Sequence, residues 1–270
     1  MMTIGEALKK SRESLHYTQK QMVEGTRLSD SYYSKIENGY QEIKAVDLFD
    51  LLNKRRIDIN TFKAKVEKES NNDLEILSDE LVKAFYKPDI KKLKQVKKEI
   101  DKYNDAEELQ IRAEIAVAGL TNRINGVKAE LNDRIIKYLL ENRQWMYDTD
   151  MLRLIGNAIW IINIDSLNLI MTELLNEYRD IEKYPLDTQK RIGGIYINYL
   201  HVLYSYDKFN LAPKYISVLK KLPGVPELTL LKMLTLYYEA ISEGNISRAK
   251  EIIKPLWAVV PKIIKYLPIN

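Results

Sequence analysis

The sequence predicts an all-α protein, built as a cluster of five short helices followed by an array of longer helix pairs. Three observations carry this reading. Only ten glycines and eight prolines occur among 270 residues, beside 46% hydrophobic and 30% charged side chains, which suits helix packed on helix and excludes collagen-like and low-complexity disordered chains. Short segments near the amino terminus carry helix-capping residues. Beyond residue 72, long amphipathic stretches are broken at nearly regular intervals, and no segment shows the alternation of a half-buried strand.

In the first part, Thr3 can cap a helix that carries Ile4, Ala7, Leu8 and Leu15, with Glu6 completing a capping box. Thr18 can cap a second helix from Gln19 to Glu24, ended by Gly25, and Ser29 a third from Asp30 to Glu37, stopped at Asn38-Gly39. Residues 44 to 55 form a fourth, with Val46, Leu48, Phe49, Leu51 and Leu52 as its apolar members. Ile57, Ile59 and Phe62 then close the small core.

The first 66 residues hold 12 basic and 9 acidic side chains, an excess of +3, whereas the remainder holds 30 and 29, an excess of +1. No proline precedes Pro88 and seven of the eight lie from Pro185 onward. These shifts divide the chain into a module over 1–66, a linker over 67–73 and a second module over 74–270. In the second, breaks fall at Tyr86-Lys87-Pro88, Tyr103-Asn104-Asp105, Ile124-Asn125-Gly126, Asn163 to Asp165, Tyr184-Pro185, Asp207 to Asn210, Lys221 to Pro226 and Gly244-Asn245. Paired consecutively, the helices start new pairs near Ala106, Met146, Asp187 and Pro226, intervals of about 40 residues typical of a right-handed tetratricopeptide-like array. Pro255 and Pro261 are expected to kink the last helix. The run Lys87, Lys91, Lys92, Lys94, Lys97 and Lys98 reads as a solvated helix face, because Leu93, Val96 and Ile100 sit at inward spacing.

The stretch from Tyr17-Thr-Gln-Lys-Gln-Met-Val to Ser29-Asp-Ser-Tyr-Tyr-Ser-Lys-Ile-Glu-Asn-Gly39 resembles the helix-turn-helix of the phage-repressor class, often called XRE-like. Physical chemistry agrees with the resemblance. Gln19 at a helix N-terminus sets an amide and free backbone N–H groups where a phosphate can be held. In the next helix Ser29, Asp30, Ser31, Tyr32 and Lys35 would meet base edges if it docks in the major groove. Lys35 can donate to guanine, Asp30 can accept from cytosine, and Tyr32 can lie against a thymine methyl or reach a phosphate. Lys20, Arg27, Asn38, Tyr40 and Lys44 are candidates for phosphate contacts, which are sequence-blind and salt-sensitive. Ser29 and Glu37 also carry structural duties, as a cap and as a partner inside the domain.

The same string, continuing through Ile43, Leu48, Leu51-Leu52, Ile57 and Ile59 to Phe62 and followed by about 200 helical residues, resembles the Rgg/MutR regulators, as do Trp145-Met-Tyr-Asp and Asp150 to Asn157 more loosely. The resemblance implies a homodimeric transcription regulator of Gram-positive bacteria, of the RRNPP peptide-sensing group, whose repeats bind a short imported signalling peptide. Many members carry a cysteine in the DNA-binding module. This chain has none, which removes any disulfide between such modules.

Independently of that resemblance, Asp150, Arg153 and Asn157 share one helix face, as do Gly194, Asn198, His201 and Ser205. Asn157 and Asn198 can bond a peptide main chain, Arg153 can pair with a carboxylate, and Trp160, Tyr196, Tyr199 and Tyr204 can offer apolar walls. Lys232, Thr235 and Glu239 continue the lining on a later helix. Leu256, Trp257, Val260 and Ile264 exceed the apolar needs of one helix end and are candidates for a dimer interface.

Catalysis has no support, since His16 and His201 lie in different modules and no Walker A, GxGxxG or HExxH string occurs. Neither a cofactor nor a metal site is expected. The amino terminus lacks the apolar centre of a signal peptide, and no uncharged stretch reaches the roughly 18 residues of a membrane span, so a cytoplasmic protein is expected. Expected partners are double-stranded DNA with two half-sites, a signalling peptide, a second copy of the chain and RNA polymerase, with no membrane. Two alternatives stand beside this: a helical adaptor with a tethering front domain, and a repressor whose repeats only dimerise.

Overall fold

The computed structural model describes residues 2–66, 69–265 and 267–269, the side chains of 69–72 and 262 excepted. Every regular element among the described residues is helical. Two compact units result, Met1–Lys83 and Ala84–Asn270.

The first unit holds α1 (Ile4–Ser14), α2 (Gln19–Val23), α3 (Asp30–Glu37), α4 (Ala45–Lys54) and α5 (Ile59–Val66). The predicted caps are in place. The Thr3 hydroxyl accepts from the Glu6 amide at 3.1 Å while the Glu6 carboxylate accepts from the Thr3 amide at 2.8 Å. Thr18 and Gln21 repeat this reciprocal box at the start of α2. Ser29 accepts from the Tyr32 amide at 3.2 Å, and Gly39 takes φ 73° just beyond α3. At five residues α2 is too short to persist unaided. Its open carbonyl end is held from the end of α4, where the C-cap Arg55 donates from Nε to Met22 O at 2.8 Å, a second Arg55 nitrogen reaches Glu24 O and Lys54 reaches Gly25 O.

Ala7, Leu8, Met22, Val23, Leu28, Tyr33, Ile36, Leu51, Leu52 and Phe62 form the core of this unit. Burying each large aliphatic side chain is worth about 1.5–3 kcal/mol. Five apolar residues named from the sequence lie outside this core. Ile4 and Leu15, at the two ends of α1, are exposed, as are Val46, Phe49 and Ile59, because Leu51 and Leu52 already supply the inward face of α4 and Phe62 that of α5. The α1 and α3 backbones approach closely at Gly5, where an added Cβ would lie 2.0 Å from the carbonyl oxygen of Ile36.

The next helix, α6 (Glu69–Tyr86), contains the division between the units. Residues 69–73, read from the sequence as linker, are its opening turns, and residues 67 and 68 lie outside the described residues. Then follow α7 (Ile90–Ile100), α8 (Glu107–Leu120), α9 (Ile124–Glu141), α10 (Thr149–Ala158), α11 (Ile164–Glu177), α12 (Leu186–Ser205), α13 (Ala212–Lys220), α14 (Thr229–Ser242), α15 (Ile246–Ile253) and α16 (Pro261–Ile264). The pair-opening helices α8, α10, α12 and α14 start 42, 37 and 43 residues apart. Each packs on the next opener, so these four helices form one continuous layer. Left-handed backbone at Asn122, Asp207 and Gly244 makes three of the tight returns within pairs.

Two local expectations are corrected. The break expected at Ile124-Asn125-Gly126 falls three residues earlier, since Asn122 makes the turn and Asn125 and Gly126 enter the first turn of α9. The last helix is broken rather than kinked: Pro255 lies in a short 3-10 stretch, Lys254–Ala258, and Pro261 opens α16.

Candidate functional site

In the first unit α3 presents Asp30, Ser31 and Lys35 as exposed side chains, with Ser29 at its cap. Its other face is tied down. Arg12 grips the carboxylate of Glu37 with Nε–Oε1 2.7 Å and Nη2–Oε2 3.1 Å, and Gln19 Nε2 donates to Oε2 at 2.8 Å. Burial pushes the Glu37 carboxyl up, but the hydrogen bonds from Arg12 and Gln19 outweigh it and hold the group below the usual carboxylate range. One network thus ties α1, α2 and α3 together.

This network refines the residue roles read from the sequence. The Gln19 amide nitrogen is engaged with Glu37, so its side chain positions α3. Tyr32 is half-buried and donates its hydroxyl to Glu42 O at 2.9 Å, bracing the loop after α3 instead of standing free for a thymine methyl. Asn38 Nδ2 donates to Ser34 O at 2.8 Å and closes the end of α3. Lys20, Arg27, Tyr40 and Lys44 are exposed.

In the second unit, α10 and α12 bring the two polar stripes together. Asn198 Nδ2 donates across to Gly156 O at 3.3 Å, and the Trp160 and His201 rings meet edge to face at 5.0 Å. Asn157 bonds back to Arg153 O, Ser205 to His201 O, and Arg153 pairs with Asp150 at 2.6 Å. Burial lowers the His201 pKa, favouring the neutral ring.

Several expected lining residues serve the core. Tyr196 and Tyr199 are fully buried, their hydroxyls donating to Leu174 O and Asn168 Oδ1, because they lie on the side of α12 that packs on Tyr215 of α13. Thr235 is buried and bonds back to Leu231 O. Lys232 caps the carbonyl end of α13 at Lys220 O and Leu222 O, while Glu239 pairs with Lys220. This stripe of α14 therefore serves α13. Leu256 and Ile264 are buried within this unit and Val260 packs against its core, which leaves Trp257 and its neighbour Val259 exposed.

Sequence reasoning missed a charged group at the start of this layer. Glu108 and Arg112 of α8 are buried and bonded to each other at 3.1 Å. Burial, opposed by Arg112, pushes the Glu108 carboxyl up to about 7. Arg191 on α12 is half-buried nearby, its guanidinium pKa lowered by burial and then by Arg153, with Arg112 adding to the repulsion. The signal lay in α8: an acid and a base four residues apart in a helix apolar on nearly every other side.

Among the described residues no helix is long and apolar enough to cross a membrane, and no group of three or more His, Asp or Glu is arranged to hold a metal. A family model described as a helix-turn-helix domain matches residues 5–68. No curated protein matches the chain. Among solved structures, the SHP pheromone receptor Rgg2 of Streptococcus dysgalactiae matches with TM-score 0.71 at 19% identity, over 97% of this chain and 95% of its own. An inferred transcriptional regulator from Listeria monocytogenes EGD-e matches with TM-score 0.71 at 18% identity, over 98% and 94%. A PrgX/cCF10 complex matches with TM-score 0.62 at 17% identity, over 97% and 95%. The chain thus joins a helix-turn-helix domain to a layer of paired helices and has the whole-chain fold of these proteins.

Proposed function

We propose that this protein is a sequence-specific DNA-binding transcription regulator whose affinity for DNA is set by a short signalling peptide held on the face shared by α10 and α12. One observation carries the reading. A helix-turn-helix domain with an exposed row on α3 is joined, in one chain, to a polar stripe on paired helices whose fold matches structures of pheromone receptors and of a peptide pheromone/receptor complex. Asp30, Ser31 and Lys35 read bases, while Lys20, Arg27, Tyr40 and Lys44 hold phosphates. Asn157, Asn198, Trp160 and His201 hold the peptide. The protein acts inside the cell as a homodimer on two half-sites, addresses RNA polymerase through promoter occupancy, and catalyses no reaction. Coupling requires only that the peptide bind two arrangements of the dimer with different affinity.

The test is DNA binding by the full-length protein to the intergenic sequence beside its own gene, at two salt concentrations, with and without synthetic peptide from an adjacent short reading frame. Saturable binding that survives competitor DNA and shifts with peptide is the expected result. Weak binding that salt erases and peptide does not alter would overturn it.

A further inference from the structure

On α12, Arg191, Gly194, Asn198 and His201 follow one another at three- and four-residue steps. Two of them have no packing or pairing role among the described residues. Arg191 is half-buried and makes no ion pair among the described residues. Of the two acids that attract it, Asp150 is bonded to Arg153, while the exposed Asp187, one turn back on α12, makes no contact with it. Arg153 and Arg112 both repel Arg191, and each of those two is already bonded to a carboxylate of its own, Asp150 and Glu108. Arg112 is 7% exposed, yet its Nε has no hydrogen-bond partner among the described residues. A buried charged donor left without an acceptor is costly, and a ligand oxygen would satisfy it.

Gly194 is the second oddity. Glycine is the least favourable residue in a helix interior after proline. Its neighbour Gly193 has a packing reason, since a Cβ there would lie 2.9 Å from Leu231 Cδ1. At Gly194 a Cβ would meet nothing within 4 Å. The residue thus leaves the α12 backbone bare, on the face that carries Arg191 and Asn198.

We propose that this end of the stripe is a seat for a ligand carboxylate, which lies on Arg191 with Arg112 and Arg153 in support, while the ligand main chain rests on the bare backbone at Gly194 within reach of Asn198. The proposal builds on the peptide-receptor reading and specifies its ligand as one bearing an acidic group, from either an Asp/Glu side chain or a free C-terminus. Arg153, already held by Asp150, is the support; Arg191 is the anchor.

Full-length protein is incubated with four pools of synthetic octapeptides randomised over uncharged residues, with or without one Asp and with a free or amidated C-terminus. Retained peptide is then measured by mass spectrometry after gel filtration. A charge-assisted pair predicts at least about tenfold more retention for one acid-bearing form than for the acid-free amidated pool, and the favoured form identifies the source of the carboxylate. Arg191→Gln should abolish that difference without lowering the melting temperature, since it removes a cation crowded by two others. Gly194→Leu, which enters open space and changes no charge, should fold normally and lose retention of every pool. Equal retention of all four pools, or discrimination that survives Arg191→Gln, overturns the seat and leaves the peptide reading standing. Full retention by Gly194→Leu overturns the role of the bare backbone. No retention of any pool by the wild type counts against the peptide reading and takes the seat with it.

Discussion

Gly5→Ala should weaken the first unit although alanine is the better helix former. The new Cβ would lie 2.0 Å from Ile36 O, 3.0 Å from its carbonyl carbon and 3.4 Å from Glu37 Cα. All three are backbone atoms of α3, so no side chain can swing aside. Reaching even 3.0 Å from the oxygen requires α1 and α3 to part by about 1 Å, a gap that forfeits a quarter to half of each dispersion contact across it. Ala7, Leu8, Tyr33 and Ile36, each no more than 2% exposed, belong to the core that this opening would loosen. Overpacking of this kind costs about 1–3 kcal/mol, while the helix-propensity gain returns no more than about 1 kcal/mol. With backbone as the obstacle we place the net loss near 2 kcal/mol. Hydrogen-exchange mass spectrometry on the full-length chain reads it directly, as faster exchange in α1 and α3. Trp145, Trp160 and Trp257 all lie in the second unit, so their fluorescence serves as a control that should not change. Unchanged or greater protection of α1 and α3 would refute the reasoning.

Arg12→Met should cost the first unit about 3 kcal/mol at neutral pH, because it strands a Glu37 side chain that is only 2% exposed. The Glu37 pKa is lowered in the folded state, so its contribution is present above the unfolded carboxylate value and is lost as pH falls through the lowered one. The penalty of Arg12→Met, followed by exchange in α3, should accordingly shrink in acid; a pH-independent penalty would count against the network. Glu108 behaves in the opposite sense. Its folded pKa of about 7 lies above the unfolded value, so the second unit should lose stability as pH rises from about 4.5 to 7, and Glu108→Gln should flatten that slope in Trp-monitored urea titrations. Lys35→Ala should weaken specific DNA binding by about 1–3 kcal/mol and relax preference at one base position, whereas Lys20→Ala should weaken all sequences alike and reduce the salt slope by about 1, both read by fluorescence anisotropy. If Trp257 lies in a dimer interface, Trp257→Glu should halve the mass seen by light scattering; an unchanged dimer would remove it from the interface.

The helices and their caps were legible because they depend on neighbours a few residues apart. Thr3 with Glu6 and Ser29 ahead of Tyr32 satisfy backbone groups within one turn, and the sequence shows both members of each pair. Pair spacing was equally legible, since Trp145-Met146 and Pro226 mark openings whose register depends on segment length. Exposure was harder to read. Tyr196 and Tyr199 share α12 with Asn198, yet their side chains turn toward Tyr215, which is a matter of which helix packs beside them.

By itself, then, the amino-acid sequence determined the element order, the helix-turn-helix and the α10 and α12 stripes. All of these rest on local hydrogen bonding and on the 3.6-residue period. Tertiary structure alone decided that Gln19 serves Glu37, that Lys232 and Glu239 serve α13, and that Arg112, Arg153 and Arg191 share one region. Those outcomes depend on contacts between residues far apart in the chain, where burial converts a side chain that looks solvated into one that must find a partner, or leaves it waiting for one.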